Sequence, residues 1–166
     1  MPFRHRPALA TALAIFLVLP GAISQARAAA PTAEPRLVNG HRVAISGAPA
    51  DLRVSVDGRP MFADHEHASI DLVGSYPTPS GVYALLRLAE GGAACPSQFR
   101  VIDLSNGAPR SSPAFGTCRD GARASAGRTG LVVTMPRADG KGDEAWTFAP
   151  QGIAHQQGRS SQMTHW

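Results

Sequence analysis

The chain has 166 residues, with 16 Lys and Arg, 12 Asp and Glu, and only two cysteines. Arg4, Arg6 and Arg27 lie in a stretch that we expect to be removed, which leaves 13 basic against 12 acidic residues, a net charge of +1. Proteins that bind DNA or RNA concentrate basic residues on one face. The composition therefore argues against nucleic-acid binding.

Residues 1–28 have the three-part order of a secretory signal peptide. Basic residues come first, an apolar run over residues 8–19 follows, and Ala26-Arg27-Ala28 is a small-x-small cleavage pattern. The apolar run is shorter than a membrane-spanning helix requires. We expect cleavage after Ala28 or Ala30, a periplasmic or secreted mature chain, and no transmembrane anchor after cleavage.

Removal of 28 residues would leave 138 of the 166, enough for one domain. Residues 29–36 are expected to form a flexible leader, and residues 151–166, rich in Gln, Ser and His, a flexible polar tail. Between them, residues 37–150 consist of short apolar or alternating runs separated by Gly, Pro and Asn-Gly turns. This pattern predicts an all-β domain of about eight or nine strands, arranged as a single antiparallel sandwich, barrel or meander.

The predicted strands differ in how deeply they should be buried. Alternating apolar and polar residues, typical of half-buried strands, occur at residues 52–56 and 68–73. Val82–Leu88 and Phe99–Leu104 are nearly continuous apolar runs, which predicts a central hairpin covered on both faces. Leu131–Met135 and Ala145–Phe148 flank a Gly-rich turn and predict the last strong hairpin.

The two cysteines, Cys95 and Cys118, stand at the two ends of the second central strand and the loop that follows it. An exported protein reaches an oxidising compartment, where an isolated cysteine pair is more often a disulfide than a redox or zinc pair. The C-x-x-C spacing of a catalytic dithiol does not occur. We therefore expect Cys95 and Cys118 to be bonded to each other.

The segment Asp64-His65-Glu66-His67 is the sharpest polar cluster of the sequence. On a strand, His65 and His67 would share a face and could both bind a metal, while Asp64 could orient an imidazole. The sequence fixes no third ligand, and the two remaining candidates are His41 and His155. The alternative is a solvated loop between strands, which is the more common role of such a segment.

No other segment predicts a catalytic or cofactor-binding residue, and no cofactor is expected. Gly91 and Gly92 lie in a loop without the Gly-Lys-Ser/Thr ending of a phosphate-binding loop. Ser97 lacks the G-x-S-x-G context of a nucleophile elbow.

The pattern Gly-Gly-Ala-Ala-Cys-Pro-x-x-Phe-Arg-Val-Ile-Asp-Leu, followed by Phe-Gly-Thr-Cys, covers residues 91–118. It resembles a motif of uncharacterised small exported proteobacterial proteins, with a looser similarity over residues 68–148. Cys95, Cys118 and the Phe115-Gly116 step carry the resemblance. The resemblance implies an exported compartment and a disulfide, and it implies no particular chemistry.

Three functions remain open at this point. We expect a non-enzymatic β domain that binds a protein, a cell-wall component or another part of the envelope. One alternative is a metal-dependent enzyme or metal-binding protein that uses His65 and His67. The other is a structural accessory domain of an envelope assembly. Fold alone does not decide between them.

Overall fold

The computed structural model describes residues 34–89, 95–105, 107–158 and 160–166. Within these ranges the chain forms thirteen β-strands and no helix. The strands are β1 (Arg36–Val38), β2 (His41–Ala48), β3 (Asp51–Val56), β4 (Arg59–Asp64), β5 (Ser69–Thr78), β6 (Gly81–Ala89), β7 (Ser97–Asp103), β8 (Arg110–Ser111), β9 (Arg123–Ala126), β10 (Leu131–Pro136), β11 (Asp143–Ala149), β12 (Gly152–Gln157) and β13 (Ser160–Thr164).

The strands form three antiparallel meanders, in which each strand pairs with its neighbours along the chain. Sheet A contains β1–β4, sheet B contains β5–β8, and sheet C contains β9–β13. Tight turns make these pairings local. Asn39-Gly40 and Asp57-Gly58 all have positive φ angles, between 49° and 83°, the backbone geometry that two-residue hairpin turns require and that Asn, Asp and Gly tolerate best.

Sheet B lies between sheets A and C, because both faces of its central hairpin are apolar. Along β6, Ala84 and Leu86 pack against sheet A, whereas Tyr83 and Leu85 pack against sheet C, and all four are no more than 1% exposed. The prediction that the central hairpin is covered on both faces is confirmed. The sequence signal for this burial was a continuous apolar run in each strand, because a strand covered on only one face alternates apolar and polar residues.

Two separate cores result from this stacking. The core between sheets A and B contains Val38, Val43, Leu52, Val54, Val56, Ile70, Ala84, Leu86, Leu88, Ile102 and Leu104. The core between sheets B and C is more aromatic and contains Tyr83, Leu85, Phe99, Val101, Leu131, Val133, Met135, Trp146, Phe148 and Ile153.

The predicted disulfide between Cys95 and Cys118 is present. It joins the chain just before β7 to the segment that follows β8. Between the two cysteines, Phe115 pairs with Phe99 of β7 through two backbone hydrogen bonds of 2.8 and 2.9 Å. The disulfide and this bridge together hold residues 112–118 beside β7, where they form one wall of the groove described below.

The predicted all-β antiparallel class is confirmed, and of the sandwich, barrel or meander that was expected the structure has the meander. Three expectations differ from the structure. The described residues contain thirteen strands rather than about eight or nine, and they form three stacked meanders rather than a single one. β12 and β13 replace the flexible polar tail expected at residues 151–166. They complete sheet C, and Trp166 then folds inward, donates a hydrogen bond of 2.8 Å to the Ala149 carbonyl and stacks on Tyr83.

The expected signal peptide and most of the expected leader lie outside the described residues. Arg36, the last residue of that leader, is already the first residue of β1. In the described part of the chain, no helix has the length and apolar character that a membrane crossing needs.

Candidate functional site

The segment 64–67 is a turn and not a strand, because β4 ends at Asp64; Asp64 and His67 are buried, whereas His65 and Glu66 are exposed. His67 is 4% exposed, and its Nδ1 lies 3.0 Å from both carboxylate oxygens of Asp64. Asp64 Oδ1 also accepts hydrogen bonds from the backbone N–H groups of Glu66 and His67. Asp64 does orient an imidazole, but it does so inside a closed hydrogen-bonded turn.

His65 and His67 do not share a face. The side chain of His65 is 67% exposed, and its Nδ1 lies 3.2 Å from the Ala50 carbonyl oxygen. The two other candidates pair with carboxylates elsewhere, His41 with Asp57 and His155 with Glu144. In the ranges that the structure describes, no three His, Cys, Asp or Glu side chains lie close enough to hold a metal ion. The predicted metal site therefore has no third ligand there.

The surroundings of Asp64 make the segment a contributor to stability. Burial by itself would raise the pKa of the Asp64 carboxyl. The hydrogen bonds from the His67 backbone, the His67 imidazole and the Glu66 backbone outweigh burial, and together they hold the pKa below its usual value of 3.8. A lowered pKa in the folded state stabilises the fold wherever the carboxyl is ionised.

We expect Asp64→Asn to lower the free energy of unfolding by about 2 kcal/mol near neutral pH, because hydrogen bonds to the ionised carboxylate are lost. The contribution is fully present above pH 3.8 and is lost as the pH falls through the lowered pKa of the folded state. Urea unfolding of both proteins at a series of pH values measures this. The control is Asp71→Asn, a change at an exposed carboxylate of β5. A difference for Asp64→Asn that stays constant into the acid range would contradict the assignment.

A groove opens where sheet C extends beyond sheet B. Sheet C has five strands and sheet B four, and β9 lies against β5 at one edge of the stack. Towards the other edge, residues 112–115 face sheet C where no strand of sheet B covers it. The cavity between them measures about 200 Å³, and Trp146, Phe148 and Ile153 form its floor. We call this cavity, between residues 112–115 and the β11–β13 side of sheet C, the aromatic groove.

The wall of the aromatic groove is held by backbone and aromatic contacts. Ser112 exchanges two hydrogen bonds with the backbone of Val101, of 2.9 and 3.0 Å. Phe115 lies at the centre of an aromatic cluster, with its ring centroid 5.4 Å from that of Trp146 and 4.8 Å from that of Phe148. These contacts hold residues 112–115 in place in the absence of a ligand, so the groove is already formed before anything binds to it.

The polar rim of the groove carries His155. Its ring stacks on Trp146 with a centroid distance of 4.5 Å and an angle of 4°, and its Nε2 lies 2.9 Å from Glu144 Oε2. Glu144 is buried, and the other oxygen of its carboxylate accepts a hydrogen bond from the Gln157 side chain. Both oxygens of the Glu144 carboxylate are therefore hydrogen-bonded within sheet C.

His155 and Glu144 alone do not make a catalytic site. A histidine oriented by a carboxylate is half of a nucleophilic site, and it needs a hydroxyl or thiol within reach. Two hydroxyls line the groove, those of Ser112 and Thr164, and the Ser112 hydroxyl donates to the Pro113 carbonyl and accepts from the Val101 N–H. Stacking of a sugar on Trp146 is also blocked, because His155 and Phe115 occupy the ring and leave it 7% exposed.

Sequence reasoning did not identify this groove. Trp146 lies in the predicted strand Ala145–Phe148, and Phe115 enters the sequence analysis only as part of the motif over residues 91–118, so neither residue predicts a groove. Gln162 and Thr164 fall in the stretch interpreted as a tail. One signal was available. Trp146 and Phe148 lie two residues apart before a Pro-Gln-Gly turn, and Ile153 and His155 lie two residues apart after it, which is the pattern of one more hairpin.

No protein-family model, curated protein or solved structure matches this chain. The resemblance over residues 91–118 stays a prediction.

Proposed function

We propose that this chain is an exported, non-enzymatic binding domain that recognises a protein of the cell envelope through the aromatic groove. The observation that carries the proposal is a preformed apolar cavity with a hydrogen-bonding rim. Binding sites commonly combine an apolar lining with a few placed polar groups. Here the lining is Trp146, Phe148 and Ile153, and the rim is His155, Gln162 and Thr164.

The size of the groove favours a protein partner. Pockets for small molecules usually measure roughly 300–1,000 Å³, whereas this cavity measures about 200 Å³. It has room for one or two side chains of another protein rather than for a large metabolite. Such a side chain would bury its own apolar surface against the exposed Pro113 and Ala114, above a floor whose residues are already almost fully buried.

Two features support the exported location. The sequence of residues 1–28 has the order of a secretory signal. The disulfide between Cys95 and Cys118 is of the kind that persists in oxidising compartments. Both are consistent with a periplasmic protein whose partner is another component of the envelope.

A groove-blocking variant tests the proposal. The full chain is expressed with its own N-terminal sequence and is purified from the periplasm. The purified protein is immobilised, and an envelope extract of the bacterium that produced it is passed over it. We expect a specific protein to be retained by the unaltered chain. Ala114→Trp should reduce that retention by roughly tenfold, because the exposed Ala114 forms part of the groove wall and an indole there would fill the cavity.

Ala63→Trp is the matched control, since Ala63 is an exposed alanine of β4, on sheet A and away from the groove. Both variants should unfold at the same urea concentration as the unaltered chain. Retention that is equal for Ala114→Trp and Ala63→Trp would show that the groove is not the binding site. The absence of any retained protein would also contradict the proposal.

A further inference from the structure

The edges of the three sheets differ in how well they are protected against pairing with another strand. Natural proteins protect edge strands by making them short, by bulges, by proline or charge, or by covering them. β1 has three residues and β8 has two. β4 contains Pro60 and a register shift, and β5 contains Pro77 and a register shift and lies against β9.

β13 lacks these devices. It is the outer strand of sheet C, it pairs in unbroken register with β12, and no other strand of the described residues lies on its far side. Its five residues, Ser-Ser-Gln-Met-Thr, are all exposed and include neither proline nor a charged side chain. Met163 is 67% exposed, one of only three large hydrophobic residues in the described chain that are so exposed. An edge of this kind can accept a further strand.

We infer that the partner binds as an extended peptide segment that adds to β13 as a sixth strand of sheet C. The inference rests on the proposed function, because β13 also forms one side of the aromatic groove. Gln162 pairs with His155 and Thr164 with Ile153, so these side chains share the face that lines the groove. A strand added about 4.8 Å beyond β13 would direct every second side chain towards that face.

The residues around β13 define the chemistry of the segment. On the groove face, the added strand would lie beside Gln162 and Thr164, with Ile153 one strand further in. On the opposite face it would lie beside Met163, which pairs with Ala154. None of these described side chains carries a charge, and burying an unpaired charge is costly. The segment is therefore neutral, with an apolar residue at the position that enters the groove.

A second copy of this chain fits β13 less well than a peptide does. Two β13 strands paired with each other would contribute five residues from each copy, whereas a standard stable interface involves roughly 20–30 residues a side. An extended peptide needs less surface, since the backbone hydrogen bonds of the added strand supply affinity and pockets for alternate side chains supply specificity.

The test uses a random peptide library displayed on phage, selected on the full exported chain. We expect enrichment of neutral segments without proline. A synthetic copy of the most enriched peptide is then N-methylated at one backbone amide at a time, and its affinity is measured by calorimetry. N-methylation should weaken binding by roughly tenfold at every second residue and have little effect at the residues between, because only alternate amides of a strand face its neighbour.

Two substitutions in the protein separate strand addition from groove binding in general. Met163→Lys, which places a charge on the edge, should weaken the peptide by roughly tenfold. Val73→Lys, an equivalent change at a 49% exposed position of β5, should not affect it.

Binding that Ala114→Trp abolishes, but that is insensitive to Met163→Lys and shows no two-residue pattern, would overturn strand addition and leave the proposed function intact. A library without any enriched peptide would overturn strand addition as well. If the unaltered chain sediments as a dimer and Met163→Lys sediments as a monomer, the strand that adds to β13 comes from a second copy of the chain and not from a peptide.

Discussion

Replacing both Cys95 and Cys118 with Ser is expected to lower the free energy of unfolding by about 3 kcal/mol. The disulfide closes a loop with a sequence separation of 23 residues, and by chain entropy a loop of this length restricts the unfolded chain by about that amount. Urea unfolding of the unaltered and the doubly substituted chain measures the difference. In the presence of a reductant, the unaltered chain should unfold at the same urea concentration as the doubly substituted chain. The intact mass of the reduced chain should be larger by two hydrogens.

The same substitution should weaken binding at the aromatic groove, because Cys118 ends the segment that carries the groove wall. Phe115 would still pack against Trp146 and Phe148, so the wall is loosened and not lost. An unchanged unfolding free energy after both cysteines are replaced would contradict the expected restriction of the unfolded chain. Unchanged binding at the groove would show that the disulfide does not hold residues 112–118 in place.

The central hairpin and the disulfide could be predicted because each has a strong local signal. The apolar runs that became β6 and β7 have no polar alternation, so both faces had to be covered. The disulfide followed from the presence of only two cysteines and from the expected compartment. Which sheets cover the hairpin could not be predicted, since a buried strand shows that it has neighbours on both faces but not which segments they are.

The strand count was too low for two physical reasons. β8 has two residues, too few to show a period of two, and β4 contains Pro60, which lacks the backbone donor of a regular strand residue. β12 and β13 lie at the edge of sheet C, where most of their side chains are half-buried or exposed, so their sequence is polar like that of a disordered segment. They are held instead by the register with β11 and by Trp166, which stacks on Tyr83.

The metal hypothesis and the aromatic groove show two limits of sequence reasoning about sites. The metal hypothesis required His65 and His67 to lie on a strand, and β4 ends one residue before them. The aromatic groove required two segments far apart in the sequence, residues 112–115 and residues 146–164, to meet across two sheets. Sequence patterns report the period of one segment at a time, so they could not bring these two together.

The groove and the free edge of β13 both depend on the position of sheet B between sheets A and C. Leu85 and Leu86 are consecutive residues of β6, and they are 1% and 0% exposed on opposite faces of that sheet. Each substitution to Ala removes the same atoms from a different core. We expect Leu85→Ala and Leu86→Ala each to lower the free energy of unfolding by about 2–5 kcal/mol.

Leu37→Ala is the matched control, because the same change at this 76% exposed leucine should alter the unfolding free energy by no more than about 0.5 kcal/mol. Urea unfolding of the three variants beside the unaltered chain is thus the most direct measurement. Large losses for both Leu85→Ala and Leu86→Ala, with none for Leu37→Ala, are the expected result. A near-neutral effect of either central substitution would mean that one face of sheet B is open, and the three-sheet arrangement that forms the groove would be wrong.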